Sequence, residues 1–233
     1  MLEKIKNTIK LTTDIYLEKH LPRIPEDKKQ IAINAYEKDI ERIASFVYNS
    51  GFLNKDFLLS EDFIKGLHKT FYPEGFTQKG IDENGKEIIW FIPGEYRKIK
   101  AFSKARQLAE YCSNIPGWDP QKNIYTDFEN ISIEMKKNVN KYNNNLNNGI
   151  SLNEKKDFIL FFIIDLLYIH PFSDGNGRLI KILCDLLLLQ IGLKSIGFMK
   201  ISKKNEFECD KSMYLSHDQR DLKYIYDFIK KYS

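Results

Sequence analysis

Cysteine is scarce. Cys112, Cys184 and Cys209 stand far apart without CxxC spacing, which excludes a disulfide framework and a thiolate zinc site. Reduced thiols in a cytoplasm fit this usage. Long apolar runs are missing too. The longest, Phe158 to Ile169, is broken by Asp165 and is too short to span a bilayer. The opening Met1-Leu2-Glu3-Lys4-Ile5-Lys6-Asn7 is too polar for a secretory signal. The expectation is a cytoplasmic protein with no membrane partner, or one delivered into another cell by a route that needs no signal peptide. Charge of one sign is not in excess either. The net charge is +4 and the pI about 8.7, with lysines and acids interspersed as on a solvated surface. Such a balance would help attract a polyphosphate but does not argue for nucleic-acid binding. No repeat at a fixed period is present.

What remains is a chain of 233 residues, 42% hydrophobic and 29% charged. That is enough for one core, or a core with a small accessory lobe, and too apolar for general disorder. The pattern is mainly helical. Ile31, Ile33, Ala35, Ile40, Ile43, Ala44 and Val47 recur at helical spacing over 26–49, after Pro25 and before Ser50-Gly51. Ser60 suits the N-cap of a second helix running to about Thr70, with Glu61 and Asp62 in its first turn. Residues 80–92 read as a β-hairpin, with Asn84-Gly85 placed for a two-residue type I′ turn. Helices are expected over about 102–113 and 122–140, and Asn143 to Gly149 reads as a polar loop. Ser151-Leu152-Asn153-Glu154 is a capping box that opens an apolar helix to about Ile169. A second apolar helix runs from Asn176 or Gly177 to about Gln190, with Gly192 as its stop. A last helix covers about 219–231.

The two apolar helices flank His170-Pro171-Phe172-Ser173-Asp174-Gly175-Asn176-Gly177-Arg178. Gly175 and Gly177 permit positive φ and close backbone approach. Successive N–H groups there can form an anion nest, and the following helix directs its N-terminus at the same place. Arg178 adds a planar cationic fork suited to phosphate. Asp174 supplies a hard oxygen of the kind Mg²⁺ takes together with substrate phosphates. His170 can accept a proton near neutral pH. Base, metal ligand and polyphosphate cradle within one loop are the main parts of a phosphoryl or nucleotidyl transfer.

This combination resembles the signature of the Fic family of nucleotidyl transferases, His-x-Phe-x-Asp/Glu-Gly-Asn-Gly-Arg-x-x-Arg. It matches at His170, Phe172, Asp174, Gly175, Asn176, Gly177 and Arg178. Leu67-His68 and Pro93-Gly94-Glu95-Tyr96-Arg97 look like the family's upstream pattern. The resemblance implies a Fic-type helical fold: a core helix pair around the motif loop and a small hairpin flap. It covers about 56–233, leaving 1–55 as an N-terminal helical extension. It implies a protein adenylyltransferase that moves AMP from ATP to a Ser, Thr or Tyr hydroxyl. His170 would be the general base and Asp174 the Mg²⁺ ligand. Gly175, Asn176, Gly177, Arg178 and the residue at 181 would hold the nucleotide. The target protein would dock on the flap at about 76–92 by adding a strand. Two other readings are a different transfer on the same fold (phosphate or phosphocholine) and a catalytically silent binding module. The intact His170, Asp174 and Gly-Asn-Gly argue against both.

The sequence departs from the family at its last motif arginine, replaced by Lys181. Lysine keeps the charge but loses the bidentate fork. The family's inhibitory helix, Ser/Thr-x-x-x-Glu-Gly/Asn, finds its letters in Thr70 to Gly75, but Pro73 falls inside the would-be helix. Glu74 therefore reads as a loop residue. Inhibition is then absent, supplied by a separate antitoxin-like protein, or made through another contact.

Overall fold

The computed structural model describes residues 1–81, 84–101, 125–146, 149–198, 201–202 and 205–232. Among these residues it is mainly helical, with eight helices and one two-stranded antiparallel hairpin. In chain order the elements are α1 Leu2–His20, α2 Glu26–Asn49, α3 Glu61–Lys69, β1 Gln78–Ile81, β2 Glu87–Phe91, α4 Ile131–Leu146, α5 Leu152–Ile169, α6 Asn176–Gln190, α7 Glu206–Asp218 and α8 Lys223–Tyr232. Short 3-10 turns lie at Leu21–Arg23 and Phe128–Asn130.

The core is built on α5 and α6. Ser151 opens α5 with the expected capping box: its hydroxyl accepts the Glu154 N–H at 3.3 Å, and the Glu154 carboxylate accepts the Ser151 N–H at 2.8 Å. The Ser151 hydroxyl also donates to the Glu154 carboxylate at 2.7 Å, and this bond, with that from the Ser151 N–H, holds the carboxyl below its ordinary pKa. On α6 every residue from Leu179 to Leu189 except Lys181 is buried. A helix covered on all sides must be central, and α6 has α5 against it on one side and α1 on another. Ile5 and Ile9 of α1 are fully buried, as are Ala44 and Val47 of α2. The first two helices thus complete the core that holds the motif helices, at about 1.5–3 kcal/mol for each large apolar side chain buried. As expected, Gly192 stops α6 with φ 82°, and the Leu193 N–H bonds back to the Leu188 carbonyl at 2.9 Å.

Four expectations are corrected. The strands pair Ile81 with Glu87, so residues 82–86 connect them and the turn is not a two-residue type I′. Gly85 has φ 77°, the left-handed conformation that glycine takes without strain. The helix expected over 122–140 begins only at Ile131. Thr126 gives its N–H to the Tyr168 carbonyl at 3.0 Å, and its own carbonyl is taken by Arg97. With both groups committed elsewhere, no helical turn can start there. That helix then continues into the Asn-rich stretch read as a loop. Tyr142 is buried, and the Asn143 amide bonds both backbone groups of Leu59, at 3.1 and 2.8 Å. Finally, α7 is an additional helix, capped by the Asn205 side chain on the Glu208 N–H at 2.9 Å, and α8 starts at Lys223 rather than 219. Arg220, at φ 53°, separates the two. Its guanidinium forks onto Asp165 of α5 at 2.5 and 3.2 Å, so Asp165 pins this corner and does not join the motif loop.

The helix expected over 102–113, Cys112 and Trp118 lie outside the described residues. Among the described residues, no helix is long and apolar enough to cross a membrane.

Candidate active site

His170 ends α5 in an unusual way. Its N–H still bonds the Leu166 carbonyl at 3.1 Å, but its own backbone is left-handed, φ 48° and ψ 60°. Pro171 disfavours a helical residue before it, and a left-handed non-glycine costs about 1–2 kcal/mol. Arg97 compensates. This residue is buried, its Nε donates to the His170 carbonyl at 2.7 Å, and its backbone N–H donates to the Pro171 carbonyl at 2.9 Å. Nη1 reaches the Ile99 carbonyl at 2.8 Å, and Nη2 the Thr126 carbonyl. One guanidinium therefore ties three segments together at the end of α5. Burial, with the Arg97 charge next, lowers the His170 pKa to about 4. The Leu167 carbonyl acts in the opposite sense, yet Nδ1 is buried without a completed hydrogen bond.

The loop after His170 is fixed from beneath. Phe172 is fully buried and stacks on His68, centroids 3.8 Å apart and planes 5° apart. The His68 Nδ1 accepts the Gly94 N–H at 2.9 Å, so in the neutral ring Nε2 carries the proton and donates to the Asp174 carbonyl at 2.9 Å. His68 is thus a buried helix residue, as its position suggests, and it also carries the loop. Asn176 is buried, and its amide bonds the Phe172 N–H and carbonyl at 3.1 and 2.7 Å. Its side chain closes the loop, which leaves only its backbone for a ligand. Ser173 Oγ donates to the Trp90 carbonyl at 3.0 Å, tying the loop to β2.

The open side carries the polar groups. The exposed Asp174 holds the Gly175 N–H on Oδ1 at 2.7 Å, and Tyr72 donates to Oδ2 at 3.3 Å. No side chain caps the start of α6, so its first-turn N–H groups are available to an anion. The two glycines differ. Gly175 has φ 77°, and a Cβ there would lie 2.6 Å from the Tyr72 hydroxyl oxygen and 2.9 Å from His68 Nε2. Gly177 is helical, and nothing lies within 4 Å of a Cβ built on it. Gly175→Ala is therefore expected to cost about 1–3 kcal/mol in urea denaturation. Gly177→Ala is expected to leave stability unchanged or slightly raised in the same measurement. Arg178 lies against Phe71, with its Nη1 3.5 Å from that carbonyl and its guanidinium 5.5 Å from the ring centre. Lys181, half-buried one turn further along α6, acts on the Cys209 thiol of α7, which burial pushes up to about 12.

The structure thus brings His170, Asp174, Gly175, Asn176, Gly177 and Arg178 together at one helix junction, with Lys181 a turn beyond. Glu74 is exposed in a turn after α3, which ends at Lys69. A cleft of about 640 Å³ between α1 and α2 contains none of the motif residues. Sequence reading matched Arg97 only as part of an upstream pattern and passed over Tyr72 and Tyr125. Their contacts with the loop span large sequence separations and leave no local signal.

A helical core thus presents an uncapped helix N-terminus, a carboxylate and a histidine at one loop. The sequence model of the Fic/DOC family matches residues 58–188, and the chain belongs to that family. The structure is similar to that of a Fic domain containing signaling protein from Bacteroides thetaiotaomicron, at 18% identity and a TM-score of 0.61, over 99% of this chain and 84% of that one. It is also similar to IbpAFic2, at 17% identity and a TM-score of 0.55, over 100% of this chain and 63% of that one. At such identities the likeness is one of fold. Curated protein sequences give no match.

Proposed function

We propose that this chain is a protein adenylyltransferase that moves AMP from ATP to a hydroxyl of a target protein. The observation that carries the reading is the pairing of a half-buried His170, its pKa lowered, with an uncapped helix start whose Gly177 side is open. Phosphate oxygens would lie at the N-terminus of α6, with Arg178 and Lys181 as counter-charges. With the proton on the buried Nδ1, Nε2 is the base. Nε2 takes the proton of the target hydroxyl as its oxygen attacks the α-phosphorus. The bond from the α-phosphorus to the oxygen bridging to the β-phosphorus breaks, and pyrophosphate leaves.

Asp174 fits a divalent cation. Its carboxylate is exposed at the mouth of the cradle, and Oδ2 has only the long Tyr72 contact. One exposed carboxylate is the kind of ligand that Mg²⁺ takes together with substrate phosphates. When bound, Mg²⁺ would offset phosphate charge in the ground and transition states.

In this reading residues 56–233 form the transferase unit, and 1–55 a helical extension that completes its core. The hairpin at 76–92 is the docking edge for the target; Ile81 and Ile89 are exposed on it, at 76% and 53%. Glu74 stands in a turn, so inhibition is absent, supplied by a separate antitoxin-like protein, or made through another contact.

The test is incubation of the full chain with Mg²⁺ and labelled ATP, beside His170→Ala, with mass measurement of any modified protein. A histidine-dependent gain of one AMP supports the reading. A gain of phosphate, or no histidine-dependent label, removes it. In the same assay Lys181→Arg should label at an equal or higher rate, because arginine restores the fork. Loss of activity in that variant would contradict a nucleotide-binding role for position 181.

A further inference from the structure

The His170 imidazole is covered on one face. Tyr125 lies across it, with ring centroids 4.1 Å apart and planes 25° apart. Nothing in the motif supplies this contact, because Tyr125 precedes the 3-10 turn at Phe128–Asn130. The tyrosine is itself held. Thr126, the next residue, gives its N–H to the Tyr168 carbonyl at 3.0 Å. The Thr126 carbonyl is bonded by Arg97, whose Nε also bonds the His170 carbonyl at 2.7 Å. One buried cation thus bridges the backbone beside Tyr125 to the backbone of His170. The Tyr125 ring also meets Tyr168 of α5, centroids 6.5 Å apart.

A catalytic histidine is commonly oriented by a hydrogen bond to its second ring nitrogen. Here Nδ1 is buried without completing one. The Leu167 carbonyl acts on the ring without completing that bond, and the stack is the further constraint on the ring plane that the structure offers.

We propose that Tyr125 is a positioning residue for His170: its ring fixes the plane of the imidazole, and the Arg97 bridge fixes the two rings relative to each other, so the base meets the target hydroxyl in one orientation. The inference rests on His170 being the base of the transfer read above. Tyr125 touches no reacting atom in this scheme. A flat aromatic contact is stabilising beyond its buried area, and small misplacement of a reacting group can cost up to about a hundredfold in rate. The same ring keeps water off that face. The charged and polar groups acting on the imidazole are Arg97 from the segment after β2, Asp174 from the motif loop and the Leu167 carbonyl of α5. Asp127 acts on Arg97, and Asp210 on Tyr125.

The test uses the full chain with Tyr125→Phe and Tyr125→Leu. The first readout is the NMR shift of the His170 ring protons, assigned by their loss in His170→Ala. In the wild type they should be displaced upfield by the tyrosine face. The displacement should persist in Tyr125→Phe and vanish in Tyr125→Leu, where the titration midpoint should also move up toward 6.5 as water reaches the ring. The second readout is labelling kinetics. Tyr125→Leu should lose about tenfold to a hundredfold in kcat with KM for ATP unchanged, and Tyr125→Phe should stay near wild type. Unshifted ring protons in the wild-type chain overturn the proposal without any variant, as does a Tyr125→Leu protein that labels at the wild-type rate. A wild-type chain that shows no His170-dependent label fails the transferase reading itself, and the ring shift still decides whether Tyr125 sets the imidazole.

Discussion

His170→Ala should lower AMP transfer by about 10²–10⁴-fold while leaving the fold intact, measured as the initial rate of label incorporation beside a circular dichroism spectrum. That range is what a positioned general base contributes. The pH dependence follows from the environment of the ring. Burial, then the Arg97 charge, brings its pKa from 6.5 down to about 4. A base works when unprotonated, so the acidic limb of the rate profile that belongs to His170 should centre near 4, and activity should hold from pH 8 down to about 5. A limb near 6.5 would mean that the ring is solvated or that another group is the base. Stability carries the same signature. Between about 4 and 6.5 the unfolded chain binds the proton that folded His170 refuses. The contribution of His170 is therefore fully present above 6.5 and is lost as the pH falls through 4. The shift corresponds to about 3 kcal/mol across that window. Urea denaturation at pH 7.5 and 5 should show a shallower pH dependence in His170→Ala than in the wild type.

Arg97→Met should destabilise the chain by about 3–5 kcal/mol, the scale for removing a buried charged partner from a hydrogen-bonded group. Three carbonyls, those of His170, Ile99 and Thr126, would lose their donors at once, and each unsatisfied buried acceptor costs about 1–3 kcal/mol. The left-handed backbone at His170 would lose its brace as well, so protein that still folds should label poorly. Arg97→Lys should fall between, because a point charge cannot reach three carbonyls with one planar fork. The midpoint in urea decides: a loss below about 1 kcal/mol in Arg97→Met would show that the clamp is dispensable.

The parts of the fold that were legible in the sequence share one property. Each is specified by residues within a few positions of one another. The capping box at Ser151 and Glu154, the apolar faces of α5 and α6, the glycine stop at Gly192 and the cap at Ser60 are all local hydrogen-bonding or periodic signals. What the sequence left unread was set by distant partners. Asn-rich residues at the end of α4 look like a loop until Asn143 is seen bonding Leu59. Asn84-Gly85 looks like a tight turn until the register places Ile81 opposite Glu87. The segment at 125–127 looks helical until Arg97 and Tyr168 take its backbone groups. Among the missed elements, α7 did carry a local signal in its Asn205 cap and the acids at 206 and 208.

The motif loop divides in the same way. The sequence by itself determined which residues enter it, because base, carboxylate, glycines and arginine stand within nine consecutive positions, 170–178. Tertiary structure decided what each one does. Gly175 is required by its left-handed backbone and the two side chains crowding it, a side chain at 177 would meet nothing, and Asn176 closes the loop with its amide. The His170 pKa is lowered by burial and by the Arg97 charge, and the Tyr125 ring stacks on the imidazole, so its state is set by residues far away in the chain. Burial and long-range charge set a pKa, and neither is written into the residues that flank it.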